Sequence, residues 1–374
     1  MKSKLFTGIA TLTGTVIGAG FLGIPYVVAK SGFMLGLVHM VVLAIVMMLA
    51  NLMIAEISLS SNTIHQLPGY ASKYLGKKTK IIMFLASIFG FYAALIAYLL
   101  GEGESLSFIF TNSAKYSLLA GAIFWIFLAL ITFRGIKTFK KVEPIGVIAV
   151  FLVTIVLGIV SFNKINLANL SYTNLSNLFV PFGVVLFAFL GVSSVPEMRR
   201  VLMKNEKLMK KAIIIGSLIP LAVYILFTIV VLGLYGQGVT EIATISFGKI
   251  VTLLGIFTMF TAFLALNLAL QDTYRFDFQV TREKAWLLAT VIPLIAFIFI
   301  KLYDLAGFVK ILSLGGAISG GIMAIVILLV HEKLKSKKIQ RKLERKPEFK
   351  INIPLFLKII FIALFVVGIV MEFL

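Results

Sequence analysis

Two of the long apolar stretches in this chain are interrupted by the same short motif, and those interruptions limit its possible folds more than any other feature. The first reads Gly18-Ala19-Gly20-Phe21-Leu22-Gly23-Ile24-Pro25 and the second Gly191-Val192-Ser193-Ser194-Val195-Pro196. Both contain Gly-x-x-(Gly or Ser)-(Ile or Val)-Pro, with the proline five positions after the glycine. Inside a bilayer, backbone that leaves the helical ladder has N–H and C=O groups that no water satisfies, so it persists only where it lines a cavity or is buried in protein. A matched pair of such breaks therefore points to a ligand site near the membrane midplane.

The membrane setting follows from composition. Hydrophobic residues make up 60% of the 374 and charged residues 13%, whereas soluble domains are about 45–50% apolar. A spanning helix takes roughly 20 apolar residues. Eleven segments qualify, at about 5–30, 32–59, 81–100, 116–133, 144–161, 178–200, 212–234, 246–270, 285–301, 305–330 and 354–373. The expected fold class is an all-α membrane protein of eleven transmembrane helices, with the first and sixth broken. The opening Met1-Lys2-Ser3-Lys4 has the look of a signal peptide, but the apolar run after it is too long, carries the first break and lacks a cleavage-like site.

The formal net charge of +20 is distributed in a way that tells against a nucleic-acid partner. With the N-terminus inside, 28 of the 35 Lys and Arg residues fall on inside segments, including Arg134, Lys137, Lys140 and Lys141, a cluster from Arg199 to Lys211, and nine between Lys333 and Lys350. The positive-inside rule then puts the N-terminus in the cytoplasm and the C-terminus outside an integral cell-membrane protein. The run 331–350 reads as a solvated cytoplasmic loop drawn to anionic lipid headgroups. There is no cysteine, hence no disulfide or thiol chemistry. His39, His65 and His331 are scattered with no acid at ligand spacing, so neither a metal nor a cofactor is expected.

The broken spans are five apart, an odd number, so they cross in opposite directions. Spans 1–5 and 6–10 are then expected to form a 5+5 inverted repeat in a core at 1–330, followed by a basic loop at 331–353 and an eleventh helix at 354–374. The half-helix starting near Gly20 aims free N–H groups and the positive end of its dipole at the centre, which suits a carboxylate. The half-helices ending near Gly18 and Leu190 present free carbonyls that suit an ammonium group or a small cation. A zwitterion fits both. Its carboxylate would lie at Ala19-Gly20-Phe21 and its amine at Ile17 and the carbonyls of Phe187, Ala188, Phe189 and Leu190, with Gly18 and Gly191 allowing close approach. The alternative is that the glycines merely let helices pack closely.

The segment GTVIGAGFLGIPYVVAKSGF resembles the first helix of amino-acid permeases of the amino acid–polyamine–organocation superfamily, closest in look to the aromatic amino-acid permeases and the amino acid/auxin permeases. FAFLGVSSVPEM resembles their sixth helix, and GYASKYLGKKTK with Tyr98 is also similar. The resemblance covers roughly 5–330 and implies the leucine-transporter-like inverted-repeat fold and secondary active amino-acid uptake. It also implies a substrate-carboxylate motif at Gly18-Ala19-Gly20, an amine-binding segment at Phe187 to Gly191, and roles for Tyr98 and Phe189.

Two departures bear on the coupling ion. Gly14 stands where some sodium-coupled relatives have asparagine, and the paired hydroxyls of their eighth helix are reduced to Thr261 followed by Ala262. No lysine falls between Val142 and Val160, where proton-coupled relatives often have one. Protons are therefore expected over sodium, with Glu197 the first candidate carrier and Glu56 the second; Thr258 and Thr261 remain candidates for a weaker sodium site. Glu197 either faces the cavity, caps the half-helix at Ser193–Ser194 or reaches the cytoplasmic interface beside Arg199 and Arg200, and Glu56 lies towards the inner end of span 2, where an interfacial position is the alternative. Glu102 and Glu104 read as vestibule or loop, and Asp272, Arg275 and Asp277 as a cytoplasmic ion-pair cluster. Thr11 and Thr15 share a face, where threonine usually bonds its own helix. With no cation in the central segments, the expected substrate is a neutral, apolar or aromatic amino acid. A ligand-sensing receptor subunit on the same fold, germinant-receptor-like and without transport, is the alternative. No cluster of catalytic groups points to an enzyme.

Overall fold

A computed structural model describes residues 2–134, 143–341 and 343–374, without the side chains of 2, 134, 143–147, 276 and 277. The cluster at Arg134, Lys137, Lys140 and Lys141, the lysine-free stretch where it begins at 142–147, and Asp277 lie outside the described side chains. The described residues are helical apart from connections and a single bridge between Gly32 and Thr173.

Helix α1 (Lys2–Val16) leads through a 3-10 turn (Ala19–Gly23) into α2 (Ile24–Ser31), and α3 (Phe33–Leu59), α4 (Leu67–Leu75), α5 (Lys77–Thr111), α6 (Ser117–Arg134) and α7 (Glu143–Ser161) follow. The second half runs α8 (Val180–Ala188), a 3-10 turn (Val192–Ser194), α9 (Val195–Val201), α10 (Met209–Tyr235), α11 (Ala243–Ser246), α12 (Lys249–Phe278) and α13 (Arg282–Leu302). Helix α14 (Phe308–Leu314) passes through a π-helical turn (Gly315–Gly320) into α15 (Gly321–Lys335), and α16 (Lys337–Gln340) and α17 (Leu355–Met371) end the chain. Among the described residues, seven segments are long and apolar enough to cross a membrane, and the bent pair α1 and α2 makes eight. Three shorter apolar helices lie at Ser117–Phe133, Ile148–Lys164 and Leu355–Met371.

The half-helices pack on one another and on α10. Pro220 sits inside α10 and removes the N–H that would bond the Gly216 carbonyl. The buried Thr13 hydroxyl of α1 donates to that carbonyl instead, at 3.3 Å, so a helix defect becomes a contact between spans.

Two expectations are corrected here. Glu102 and Glu104 are not in a loop, because α5 runs on to Thr111 through Gly101-Glu102-Gly103-Glu104. The glycines beside them are points of close approach: a Cβ on Gly101 would come within 2.6 Å of Met259 Sδ, and one on Gly103 would strike the Ser117 carbonyl. The basic run 331–350 is not solvated throughout. Leu343, Phe349 and Ile351 pack on the hydrophobic core, and Lys335, Lys73 and Arg345 bond Glu56, Glu344 and Glu206. Lys333, Lys337, Lys338, Arg341, Lys346 and Lys350 stay exposed.

Candidate functional site

At the first break the Ile17 N–H still reaches the Thr13 carbonyl, but the Gly18 N–H turns back to Val16 at 2.8 Å. Gly18 is extended, with φ −100° and ψ −155°, and the helix axis bends by 47° across the break. Pro25 falls in the first turn of α2, where its missing N–H has no helical partner to lose. At the second break the Phe189 N–H is shared between the Val185 and Leu186 carbonyls at 3.2 Å, and the Leu190 N–H turns back to Phe187 at 3.1 Å. Ser194 donates its N–H (3.0 Å) and its hydroxyl (2.8 Å) to the Gly191 carbonyl. Pro196 occupies the first turn of α9, as Pro25 does in α2. The shared motif is thus a helix stop and restart, with glycine at the stop and proline at the restart.

The two breaks touch each other through their glycines. A Cβ on Gly20 would lie 3.1 Å from the Ala188 Cα and 3.0 Å from the Phe187 ring, and a Cβ on Gly191 would lie 2.8 Å from Val16 and 2.7 Å from Leu12. Gly18 differs: its Cβ would meet only the Tyr98 hydroxyl, at 3.7 Å. Gly18, Phe187 and Leu190 are partly accessible, whereas Ile17, Ala19, Gly20, Phe21, Ala188, Phe189 and Gly191 are buried. Tyr98, also buried, faces the Ala19 backbone with its hydroxyl. Gly20 is therefore a packing glycine, and Gly18 the one that faces open space.

Tyr224 of α10 joins the two breaks, and no reading of the sequence singles it out. Its hydroxyl is directed at both the Val16 carbonyl (2.8 Å) and the Ala188 carbonyl (3.1 Å), the carbonyl ends of the two broken helices. Phe21 stacks on its ring at 6.3 Å and Phe189 lies against it at 5.1 Å. Of the carbonyls expected to face an amine, Ala188's accepts from Tyr224 and Phe187's from the Leu190 N–H. Tyr224 is one of 11 tyrosines and no motif surrounds it; its place four residues after Pro220 is the single local signal.

The ion-coupling candidates are dispersed. Thr258 donates to the Gly255 carbonyl and Thr261 to those of Phe257 and Thr258, all on their own helix. Thr11 and Thr15 likewise bond the carbonyls four residues back. Glu197 is half exposed and pairs with Arg200 at 3.2 Å. Glu56 is buried, with Oε1 on the Lys335 ammonium at 2.6 Å and Oε2 on His331 at 3.0 Å and the Ile351 N–H at 2.7 Å. His331 thus has an acid partner that lies 275 residues away in sequence. Beside this cluster the buried Arg199 donates to the Ser58 carbonyl and, at 2.9 Å, to the Ser61 carbonyl at the end of α3. A cation there suits the negative end of the helix dipole.

Residues 1–245 match the tryptophan/tyrosine permease family. The chain is 27% identical to a tyrosine-specific transport system of Haemophilus influenzae over 82% of its own length and 82% of that protein's. It is 24% identical to a glutamine transporter of Aliivibrio fischeri, covering 79% of this chain and 81% of that one. It is also 24% identical to a tryptophan-specific transport protein of Shigella flexneri, over 62% and 58% of the two chains. With its apolar helices and two facing helix breaks, the chain belongs to the tryptophan/tyrosine permease family and is an integral membrane amino-acid permease, not an enzyme.

Proposed function

We propose that this permease is a secondary active transporter of neutral amino acids, apolar or aromatic, working as a proton symporter by alternating access on the inverted-repeat fold of the amino acid–polyamine–organocation superfamily. The contact between the two breaks carries the reading, since Gly20 against Ala188 and Gly191 against Val16 bring opposed half-helix ends to one place. The amino acid's carboxylate lies at the Ala19 and Gly20 N–H groups and the Tyr98 hydroxyl, beside Gly18; its amine lies at the carbonyls of Ile17, Phe189 and Leu190. Phe187 and Phe189 line the side-chain pocket. Tyr224 supports protons over sodium, because its hydroxyl already occupies the place between the two helix-end carbonyls that a cation would otherwise bridge. Eleven crossings count the three short apolar helices as spans, and the basic segments put the N-terminus in the cytoplasm and the C-terminus outside.

Uptake of labelled tryptophan, tyrosine, leucine and glutamine into proteoliposomes with imposed pH or sodium gradients tests this. Accumulation driven by an inward proton gradient, competed by neutral but not by acidic or basic amino acids, is expected. Accumulation driven by sodium alone, or binding without uptake, overturns it.

A further inference from the structure

Tyr98, Glu102 and Ser105 stand at i, i+4 and i+7 of α5 and so share one face of that helix. The stripe starts at the first break, where Tyr98 faces Ala19, and runs away from the Lys77 end of α5. Glu102 and Ser105 are fully buried, and neither carboxyl oxygen of Glu102 nor the Ser105 hydroxyl completes a hydrogen bond. The polar group that bears on Glu102 is the Phe260 backbone of α12.

Charged groups on the surrounding helices are engaged elsewhere. Glu104, on α5 itself, pairs with Lys301 of α13 at 2.7 Å, and Lys310 of α14 pairs with Glu372 at 2.9 Å. On α15, Lys335 and His331 hold Glu56, and Glu332 pairs with Lys358. Lys73 of α4 pairs with Glu344 and Asp272 of α12 with Arg275, while Lys249 at the start of α12 is exposed. At the start of α13, Arg282 donates to the Phe133 carbonyl, and its neighbours Glu283 and Lys284 are exposed. Residues 117–133 of α6 carry no charge. Glu241, ahead of α11, accepts from the Val309 N–H at 3.0 Å. A fully buried ionised carboxylate with no counter-charge beside it, and only the Phe260 backbone bearing on it, is strongly disfavoured, and the neutral acid is the form that fits.

We propose that Glu102 is the binding site of the coupling proton, with Ser105 and Tyr98 completing a polar route between it and the two ends of its stripe. The proposal rests on the proton-symport reading above and goes beyond it by assigning the carrier to neither Glu197 nor Glu56. In the step itself, a proton from water adds to the Glu102 carboxylate. When the site opens to the other side, water solvates the carboxyl group, its O–H bond breaks and the proton leaves to that water. No other reactant takes part. Glu102 lies one helical turn from Tyr98, so a substrate carboxylate held at Ala19 and Tyr98 sits close to it. A like charge nearby favours protonated Glu102, and protonated Glu102 favours the anionic group of the substrate; this reciprocity is what symport needs.

The test compares wild type, Glu102→Gln and Glu197→Gln in proteoliposomes, using labelled tryptophan. Glu102→Gln, fixed in the neutral form, is expected to exchange internal for external tryptophan but to lose accumulation under an inward proton gradient by at least tenfold, while Glu197→Gln accumulates. Gradient-driven accumulation by Glu102→Gln at the wild-type level overturns the assignment, as does loss of both exchange and accumulation in a correctly inserted variant. Should the glutamine variant not insert, Glu102→Asp decides: a displaced pH midpoint of gradient-driven uptake supports the proposal, and an unmoved one refutes it. A wild-type protein indifferent to the proton gradient removes the symport reading itself and this assignment with it.

Discussion

Two glycines two residues apart have opposite surroundings, and they should respond differently to the same change. A Cβ on Gly20 would press on the Ala188 backbone at 3.1 Å, whereas one on Gly18 enters space bounded by the Tyr98 hydroxyl. Gly18 also has an extended conformation that any residue adopts. Gly18→Ala should therefore insert and melt like wild type while weakening substrate binding several-fold, and Gly20→Val should lower the amount of folded protein before binding is measured. Thermal melting with a ligand-binding assay separates the two. Tyr224→Phe leaves the Val16 and Ala188 carbonyls buried without their donor, so it should cost about 1–3 kcal/mol of stability. A melting midpoint equal to wild type would show that the hydroxyl contributes nothing there.

Individual elements owe their ends to contacts far away in sequence. Helix α3 ends among Glu56, Ser58 and Ser61, and its last turn is held by Arg199 from α9 and by Lys335 and His331 from α15. Glu56→Ala would strand a buried histidine, a partly buried ammonium and the Ile351 N–H. The expected loss is about 3–5 kcal/mol, read as a lower denaturation midpoint in detergent. Glu56→Gln keeps the shape and part of the hydrogen bonding and should lose less. Glu197→Ala, by contrast, removes an exposed pair with Arg200, worth at most about 1 kcal/mol.

Across the whole molecule, the segment between α16 and α17 is a strap tied back to the body. Glu344 accepts from the Lys73 ammonium at 2.7 Å and from the Asn62 N–H at 3.0 Å. The lysine, followed by the Asn62 N–H, holds its carboxyl down to about 2 from an ordinary 4.5. A depressed carboxyl stabilises the fold fully above its unfolded value, and that contribution disappears as pH falls through the folded one. The difference in melting temperature between wild type and Glu344→Gln should thus be present at neutral pH, shrink below about 4.5 and vanish near 2. Because the pair is exposed, salt should shrink it too; a pH-independent difference would show that Glu344 acts by packing alone.

Local chemistry in the sequence determined the apolar spans and the two places where helices stop and restart, because both follow from the residues on the spot: apolar runs of spanning length, a glycine that tolerates the stop, and a proline that opens the next helix. Those signals are short-range and survive without knowledge of neighbours. What the tertiary structure alone decided is which polar groups meet. Tyr224 acquires its two carbonyls, Arg199 its helix end and Glu56 its partners from residues 36 to 295 positions away. Glu102 and Glu104 read as vestibule or loop because they follow the apolar run at about 81–100, whereas the helix continues past them through Gly101 and Gly103, where neighbouring helices approach closely. Glu102, placed by that mistake outside the membrane helices, is buried only because α6, α12 and α14 close around α5. Burial depends on the packing of all the helices together, which no stretch of α5 encodes by itself.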